Sequence, residues 1–509
     1  MKILNLSITS DWKNLMGFIV NFNKDSDIAV LLGKNGSAKS NLLETIIKIF
    51  RDIDLKQPSP FSYNIEYSLN NNIVVVEAEI NKVARAKVQN KNISFKDLKD
   101  NWIPRYIVGY YSGASDRFQE LFHEHDKEAL KGTLNSVNPN EKLSFRRFIC
   151  ARPVHGLFAL LAFYLSHDDD IVDFLENYPR IESFDSALII LEKPKWAKTD
   201  SSSENFWGAK GPVGELLKSI KKHSLVPFTR SVNVLTDFRH RTKKELVYLH
   251  LPDLDSLHNL ASEYGQDPRA FFQALDTMRL SDLIADFRVR VKVKGASAAI
   301  HTRQLSEGEQ QLLTVLGLMK FTQDEGSLYI LDEPDTHLNP AWGLDYLDRL
   351  RKIGGINKNS HTILATHDPL LVAGLLKKEI KVLSRDNNGV VSAIEPEESP
   401  RGTGVAGVLT SELYGLESQL DNFSLKVLKR IYEISMLEDY PQKQKHLKRL
   451  RKIVPGLTAT DTSPDPYRNI AKLAYKNAVD KIVLSDTASD IKIKAIENLA
   501  SYLYKESSK

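Results

Sequence analysis

Apolar and polar positions alternate along this chain in a way that divides it into elements before any side-chain chemistry is considered. The first 32 residues hold three stretches, MKILNLSI, GFIVNF and DIAVLL. They predict strands, and the third is continuously apolar, as in a strand covered on both faces. Leu42, Leu43, Ile46, Ile47 and Phe50 then recur on one helical face. Residues 60–110 alternate around the turn signal Asn70-Asn71-Asn72, which predicts a small antiparallel sheet, and Arg105–Gly109 predicts a further strand. Residues 118–280 read as a mostly helical insertion, with helical stretches at Phe158–Tyr164 and Val213–Lys222 and a serine loop at Ser201–Ser203. No heptad pattern persists there, so a long coiled-coil arm is not expected. Asp286–Lys294 alternates as a half-exposed strand. The stretch Leu305–Pro340 reads as a polar turn, a mostly apolar helix, a short loop and a buried strand, Leu328–Leu331, that ends in Asp332-Glu333. Thr362–Thr366 predicts a second buried strand, and Glu379–Leu383 with Val390–Ile394 predicts a hairpin about Asn388-Gly389. Beyond Pro400, RGTGVAG reads as a linker and helices follow from about Leu409. The expected division is 1–117, 118–280, 281–398 and 399–509, in an α/β fold.

Chemistry concentrates at two places in this pattern. Gly33-Lys34-Asn35-Gly36-Ser37-Ala38-Lys39-Ser40 lies between a strand and an amphipathic helix, and Asn41 follows it. That context defines a P-loop. Backbone N–H groups at a helix N-terminus converge on a phosphate. Lys39 would reach the β- and γ-phosphates, and Ser40 would bind magnesium. The pattern wants glycine just before the lysine, where this chain has Ala38. If that position needs positive φ, alanine costs about 1 kcal/mol; otherwise the exchange is nearly free. The second place is Asp332-Glu333. Carboxylates at the end of a buried strand stand where open α/β sheets place ligands. One can hold a magnesium ion and the next can polarise a water.

Bulk properties narrow the field only a little. The net charge of +4 over 509 residues is too small to argue for nucleic-acid binding by itself. Basic clusters at Lys218–His223, Arg239–Lys244 and Lys443–Lys452 could meet DNA or an acidic partner, or simply face water. One cysteine, Cys150, excludes an internal disulfide or zinc cluster and fits a reducing compartment. The longest apolar run, Gly156–Leu165, is half of the roughly 20 residues that a membrane helix needs. With no signal-peptide core at the N-terminus, a cytoplasmic protein without membrane contact is expected.

The motifs together resemble the ABC-type ATPase head, in its non-transporter branch related to OLD-family nucleases. Ser306-Glu307-Gly308-Glu309-Gln310 is similar to the family signature, Asp332 to the Walker B metal carboxylate, Glu333 to the catalytic glutamate and His367 to the switch histidine. The resemblance implies a P-loop head with a mixed central sheet, a small antiparallel sheet and ATP with Mg2+ as ligands. It also implies a homodimer or larger homo-oligomer, in which Ser306, Gly308 and Glu309 of one copy close the nucleotide site of another. Asp335–Pro340 is similar to the dimer-contact loop, with Asn339 in place of the usual aspartate. The family's metal-touching glutamine has no direct counterpart; Ser112 or Gln119 could fill the position, and Arg117 could meet a phosphate or form a structural ion pair. Glu192-Lys193 has the wrong spacing for a nuclease strand, and Ser485-Asp486 and Asp490 lie too near the end for a TOPRIM domain, so no nuclease site is expected. The layout is similar to ATPase subunits of prokaryotic antiphage defence of the Septu and retron type. That resemblance implies a separate nuclease subunit, of HNH type in Septu. Two other readings stay open: a DNA-repair ATPase acting on DNA ends, and a non-hydrolysing ATP sensor.

Overall fold

The parallel core of the protein follows directly from its uncharged strands. The computed structural model describes residues 1–135, 146–235, 241–323, 326–356, 360–416, 418, 420–436 and 441–454. Among these, a seven-stranded sheet runs in the order Val391–Ile394, Ile380–Arg385, Ile28–Leu32, His361–Ala365, Leu328–Asp332, Ile107–Tyr111, Phe148–Cys150. Its neighbours are parallel except for the hairpin at the Val391 edge. Ile28–Leu32, Leu328–Asp332 and His361–Ala365 are buried at every position. Successive residues of a strand face opposite sides. Val30, Leu32, Tyr329, Leu331 and Leu364 therefore join one core, while Ala29, Leu31, Ile330 and Ile363 join another.

The second of those cores lies under the P-loop helix, Lys39–Asp54, where Leu42, Leu43, Ile46, Ile47 and Phe50 are buried. It is shared with an antiparallel sheet in the order Ile19–Asn21, Lys2–Ile8, Tyr63–Leu69, Asn72–Ala78, Arg85–Val88, Lys91–Ile93. Strict alternation along Tyr63–Leu69 puts Tyr63, Ile65, Tyr67 and Leu69 inside. The first core holds the helix Glu307–Thr322, buried around most of its circumference, packed against the helix Pro153–Phe163. A helix enclosed on all sides needs apolar residues all round, which is why its sequence shows little amphipathic contrast.

Several expectations differ from what is found. Residues 118–280 are mostly helical, as expected, but they are not a separate helical insertion. They carry the strands Ile181–Glu192, Phe228–Leu235 and Arg241–Leu251, which form a five-stranded antiparallel sheet with Ile284–Val293 and Ile300–His301. They also contribute Phe148–Cys150 to the edge of the central sheet, so the segment is woven into the head. RGTGVAG is no linker: Gly404–Thr410 is a short helix, and Arg401 is fastened by its N–H to the Leu375 carbonyl at 3.0 Å. Helices do not run on from Leu409: residues 411–414 form a turn. The chain forms two compact units, Met1–Tyr414 and Gly415–Lys509, so the division falls later than position 399. In the second unit the described residues form the helices Asn422–Met436 and Lys443–Ile453, which pack on each other. Leu447 is buried there, whereas Ile453 is exposed. Ser485, Asp486 and Asp490 lie outside the described residues. No helix among the described residues is long and apolar enough to cross a membrane.

Candidate nucleotide site

Four strands deliver the site. Asp332 sits level with Ala365 and Tyr111 in the neighbouring strands, and Ala365 with Leu31, so Gly33, Ser112, Glu333 and His367 leave the sheet along one edge. This is the carboxyl edge, where parallel sheets bind ligands. A cleft of about 670 Å³ opens there, lined by Leu32, Gly33, Lys34, Asn35, Glu333, Thr366, His367, Leu413 and Tyr414.

The loop before the helix turns as the glycine spacing requires. An atom added to Gly33 would come within 2.3 Å of the Leu383 carbonyl, so no larger residue fits. Lys34, Asn35 and Gly36 are exposed at the tip, while Ser37, Ala38 and Lys39 are buried beneath it. Ala38 has φ of 78°, in the left-handed region. The sequence left two outcomes for this position, and the costly one holds: a side chain occupies a backbone conformation that favours glycine. Ala38→Gly is therefore expected to stabilise the chain by about 1 kcal/mol. A denaturation midpoint that falls in this variant would show that Ala38 carries no strain.

Charge at the site is held under tension by burial. Lys39 donates to the Gly33 carbonyl at 2.8 Å. Its pKa is lowered by burial, against the pull of Glu333 and Asp332. Asp332 is 2% exposed and its Oδ2 has no partner in the chain. Burial raises its pKa, opposed by a hydrogen bond from Ser40 and by Arg117 and Lys39, with Glu333 adding to the rise. Burial thus disfavours the charge on both groups, and each gains from an added opposite charge. A divalent cation beside Asp332 and Ser40, with an anion beside Lys39, fits this donor set. Among the described residues no group of three or more His, Cys, Asp or Glu could hold a metal. Magnesium, usually held by one or two protein ligands together with phosphates and water, is a cation that Ser40 and Asp332 could hold.

Glu333 leaves the strand at φ of 51°, with its N–H on the Ala365 carbonyl at 2.8 Å. The turn lifts its carboxylate out of the core and into the cleft, where Oε1 lies 3.2 Å from His367 Nδ1. Thr366 bonds Asp335, a carboxyl that burial pushes up to about 6. Ser112 donates its N–H to the Asp332 carbonyl at 3.2 Å, whereas Gln119 lies further on, in the helix Arg117–Asn135. Arg117 pairs with Glu44 and bonds Asn41, the structural ion pair of the two expected roles, and it is close enough to lower the Asp332 pKa. Asn41 also donates to Asn14 at 2.6 Å, so its amide is engaged on the helix flank.

The signature residues stand apart. Ser306, Gly308 and Glu309 do not line the cleft. Ser306 caps the helix Glu307–Thr322, accepting from the Glu309 N–H at 3.3 Å while the Glu309 carboxylate accepts from the Ser306 N–H at 2.7 Å. An atom on Gly308 would meet the His337 carbonyl at 2.4 Å, so glycine lets the helix end close on the loop Asp335–Pro340. Asn339 caps the next helix, Pro340–Lys352, accepting from the Ala341 N–H at 3.0 Å. Ser306 itself is exposed. Glu192 and Lys193 are engaged elsewhere, with Lys244 at 2.5 Å and the Thr199 carbonyl at 2.8 Å.

A family model described as "AAA domain, putative AbiEii toxin, Type IV TA system" matches residues 195–373, a span that takes in the signature, Asp332-Glu333 and His367. That stretch is similar to AAA_21 ATPase domains. Over 176 residues this chain is 26% identical to the Septu protein PtuA of Bacillus mycoides (strain KBAB4), covering 33% of this chain and 24% of that relative. The aligned part is thus under a third of PtuA's length. Among solved structures, the SMC head domain from Thermotoga maritima is 12% identical with a TM-score of 0.33, over 78% of this chain and 100% of that one. An ATP-binding cassette of an ABC transporter is 13% identical with a TM-score of 0.29, over 82% and 98%. The AAA_21 match begins well after the P-loop, yet the strand register brings the P-loop and the Asp332–His367 region to one sheet edge. What the motifs could not reveal about this ATPase domain is the part played by Leu413 and Tyr414. These two close the cleft from a turn that carries no motif.

Proposed function

We propose that this chain is the ATP-binding and ATP-hydrolysing subunit of an antiphage defence complex, and that it controls a separate nuclease subunit through nucleotide-dependent dimerisation. The observation that carries the ATPase part is the convergence of Lys39, Asp332, Glu333 and His367 on one sheet edge, with Ser306 exposed and outside the cleft. The partial likeness to PtuA supports the defence role, and a nuclease of HNH type is the partner that a Septu-like arrangement would supply.

In this mechanism Lys39 releases the Gly33 carbonyl and binds the β- and γ-phosphates. Ser40 and Asp332 would hold magnesium, which neutralises phosphate charge when bound. Glu333 orients a water in line with the γ-phosphorus and takes up its proton as the new P–O bond forms. The bond to the β-phosphate oxygen breaks and ADP leaves with its charge held by Lys39. His367 steadies the Glu333 carboxylate and the water, and Ser112, beside Asp332 at the end of the adjacent strand, serves where the family places its glutamine. Ser306 and the Gly308 backbone of a second copy close the site from above.

Ser306→Arg tests this reading. The variant is expected to bind ATP in each protomer, to lose the ATP-dependent dimer by mass photometry, and to release phosphate about a hundredfold more slowly, as when one transition-state donor is lost. A variant that still dimerises and turns over normally would overturn it. The strained Ala38 favours one second reading, an ATP sensor that does not hydrolyse; phosphate release appearing only in Ala38→Gly would support that alternative.

A further inference from the structure

The backbone around His367 is fastened at three points. Thr366 donates its N–H to the Leu31 carbonyl at 3.2 Å. Asp368 donates its N–H to Thr366 Oγ1 at 2.9 Å. The carbonyl of His367 itself accepts from the Tyr414 hydroxyl at 3.1 Å. The first two bonds come from within the central sheet and the helix that follows it. The third comes from a segment distant in sequence, which reaches the cleft along a fastened path. Lys377 donates its N–H to Ser399 Oγ at 3.0 Å, Arg401 donates Nε–H to the Gly374 carbonyl at 2.8 Å, and Glu397 donates its N–H to the Glu412 carboxylate at 2.7 Å. These bonds bring Leu413 and Tyr414 into the wall of the cleft. Gly415, the next residue in the chain, begins the second compact unit.

We propose that Tyr414 is a positioning residue that sets His367 against Glu333, and that the turn carrying it senses nucleotide for the segment that follows. The inference rests on the ATPase reading for its kinetic part and on nucleotide binding alone for its sensing part. The hydroxyl donates to a carbonyl, so its bond requires the protonated phenol. Burial, with Asp368 and Asp335 nearby, raises the phenol pKa and keeps that donor in place at neutral pH. A carbonyl held in this way limits rotation of the His367 backbone, so Nδ1 stays directed at the Glu333 carboxylate at 3.2 Å. Nucleotide entering the cleft also touches the ring of Tyr414 and the side chain of Leu413, which ties occupancy to the backbone at the unit boundary.

The test uses the full chain and two readouts. Tyr414→Phe keeps the ring and removes only the hydroxyl. It is expected to lower kcat for ATP about fivefold with KM nearly unchanged, the size of one lost hydrogen bond acting on orientation. Tyr414→Ala also removes a wall of the cleft and is expected to raise KM. Separately, chymotrypsin cleavage after position 414 in the wild type is expected to slow at least about fivefold when ATP and magnesium are added, and not to slow in Lys39→Ala. A Tyr414→Phe chain of unchanged melting temperature with wild-type kcat would overturn the positioning role. Cleavage indifferent to ATP in a chain that binds fluorescent ATP would overturn the sensing role. A wild type that binds ATP without releasing phosphate would remove the ATPase reading instead, and the positioning role with it, while the proteolysis result still decides the sensing role.

Discussion

Replacing Glu333 by glutamine is expected to lower the turnover number for ATP by about a thousandfold while leaving ATP affinity within a few-fold of the wild type. The carboxylate lies in the cleft and not in the core, and its near neighbour is His367 Nδ1 at 3.2 Å. Glutamine is nearly the same size and can keep a hydrogen bond to the histidine, but it cannot accept a proton from water. The loss therefore falls on the chemical step. In the proposed mechanism binding depends on Lys39, the loop amides, and Ser40 with Asp332, which the substitution leaves in place, although it removes the pull of Glu333 on Lys39. A trapped ATP-bound dimer is the accompanying result, read by mass photometry beside a phosphate-release assay. Unchanged turnover in Glu333→Gln would remove Glu333 from the mechanism.

Asp276→Ala is expected to destabilise the chain by about 3–5 kcal/mol, the usual cost of leaving buried charge without its partner. Asp276 is 3% exposed on the helix Pro268–Leu280. It accepts from Arg146 at 2.5 Å and Arg279 at 3.0 Å, and pairs with His155 Nε2 at 3.0 Å. One carboxylate thus joins the approach to the edge strand Phe148–Cys150, the helix that backs the signature helix, and its own helix. Burial raises its pKa, but Arg146 and Arg279 outweigh burial and hold it well below the ordinary 3.8. A depressed carboxylate contributes fully above its unfolded pKa and loses that contribution only as pH falls below it. The difference in thermal midpoint between wild type and Asp276→Ala should therefore persist across neutral pH, begin to shrink as pH falls below the ordinary 3.8, and fade fully only as pH passes through the depressed pKa. A small difference at pH 7 would mean that the two guanidinium groups find other partners.

Both predictions concern residues whose legibility in the sequence differs sharply. Glu333 could be found because a short uncharged strand ending in two carboxylates is a local pattern, read over a few residues. Asp276 could not, since its partners come from residues 146 and 155 as well as its own helix, and no spacing announces a buried ion cluster. The same contrast runs through the fold. Strict alternation in Tyr63–Leu69 and Ile284–Val293 reported one buried face, and the strands appear where the pattern placed them. In 118–280 the strands Ile181–Glu192 and Arg241–Leu251 were missed because helices flank them and their partner strand, Ile284–Val293, is distant in sequence. Pairing, not local propensity, makes those residues strands.

By itself the sequence determined the P-loop, the acidic strand end, the signature serine and the histidine after the last buried strand, because each is a short motif whose chemistry depends on immediate neighbours. Only the tertiary structure decided that Ala38 lies in the left-handed region, that Arg117 is committed to Glu44, and that Tyr414 closes the cleft over His367. Those outcomes depend on backbone angles and on contacts between residues far apart along the chain. Local pattern carries no information about either until the sheet edge has brought the strands together.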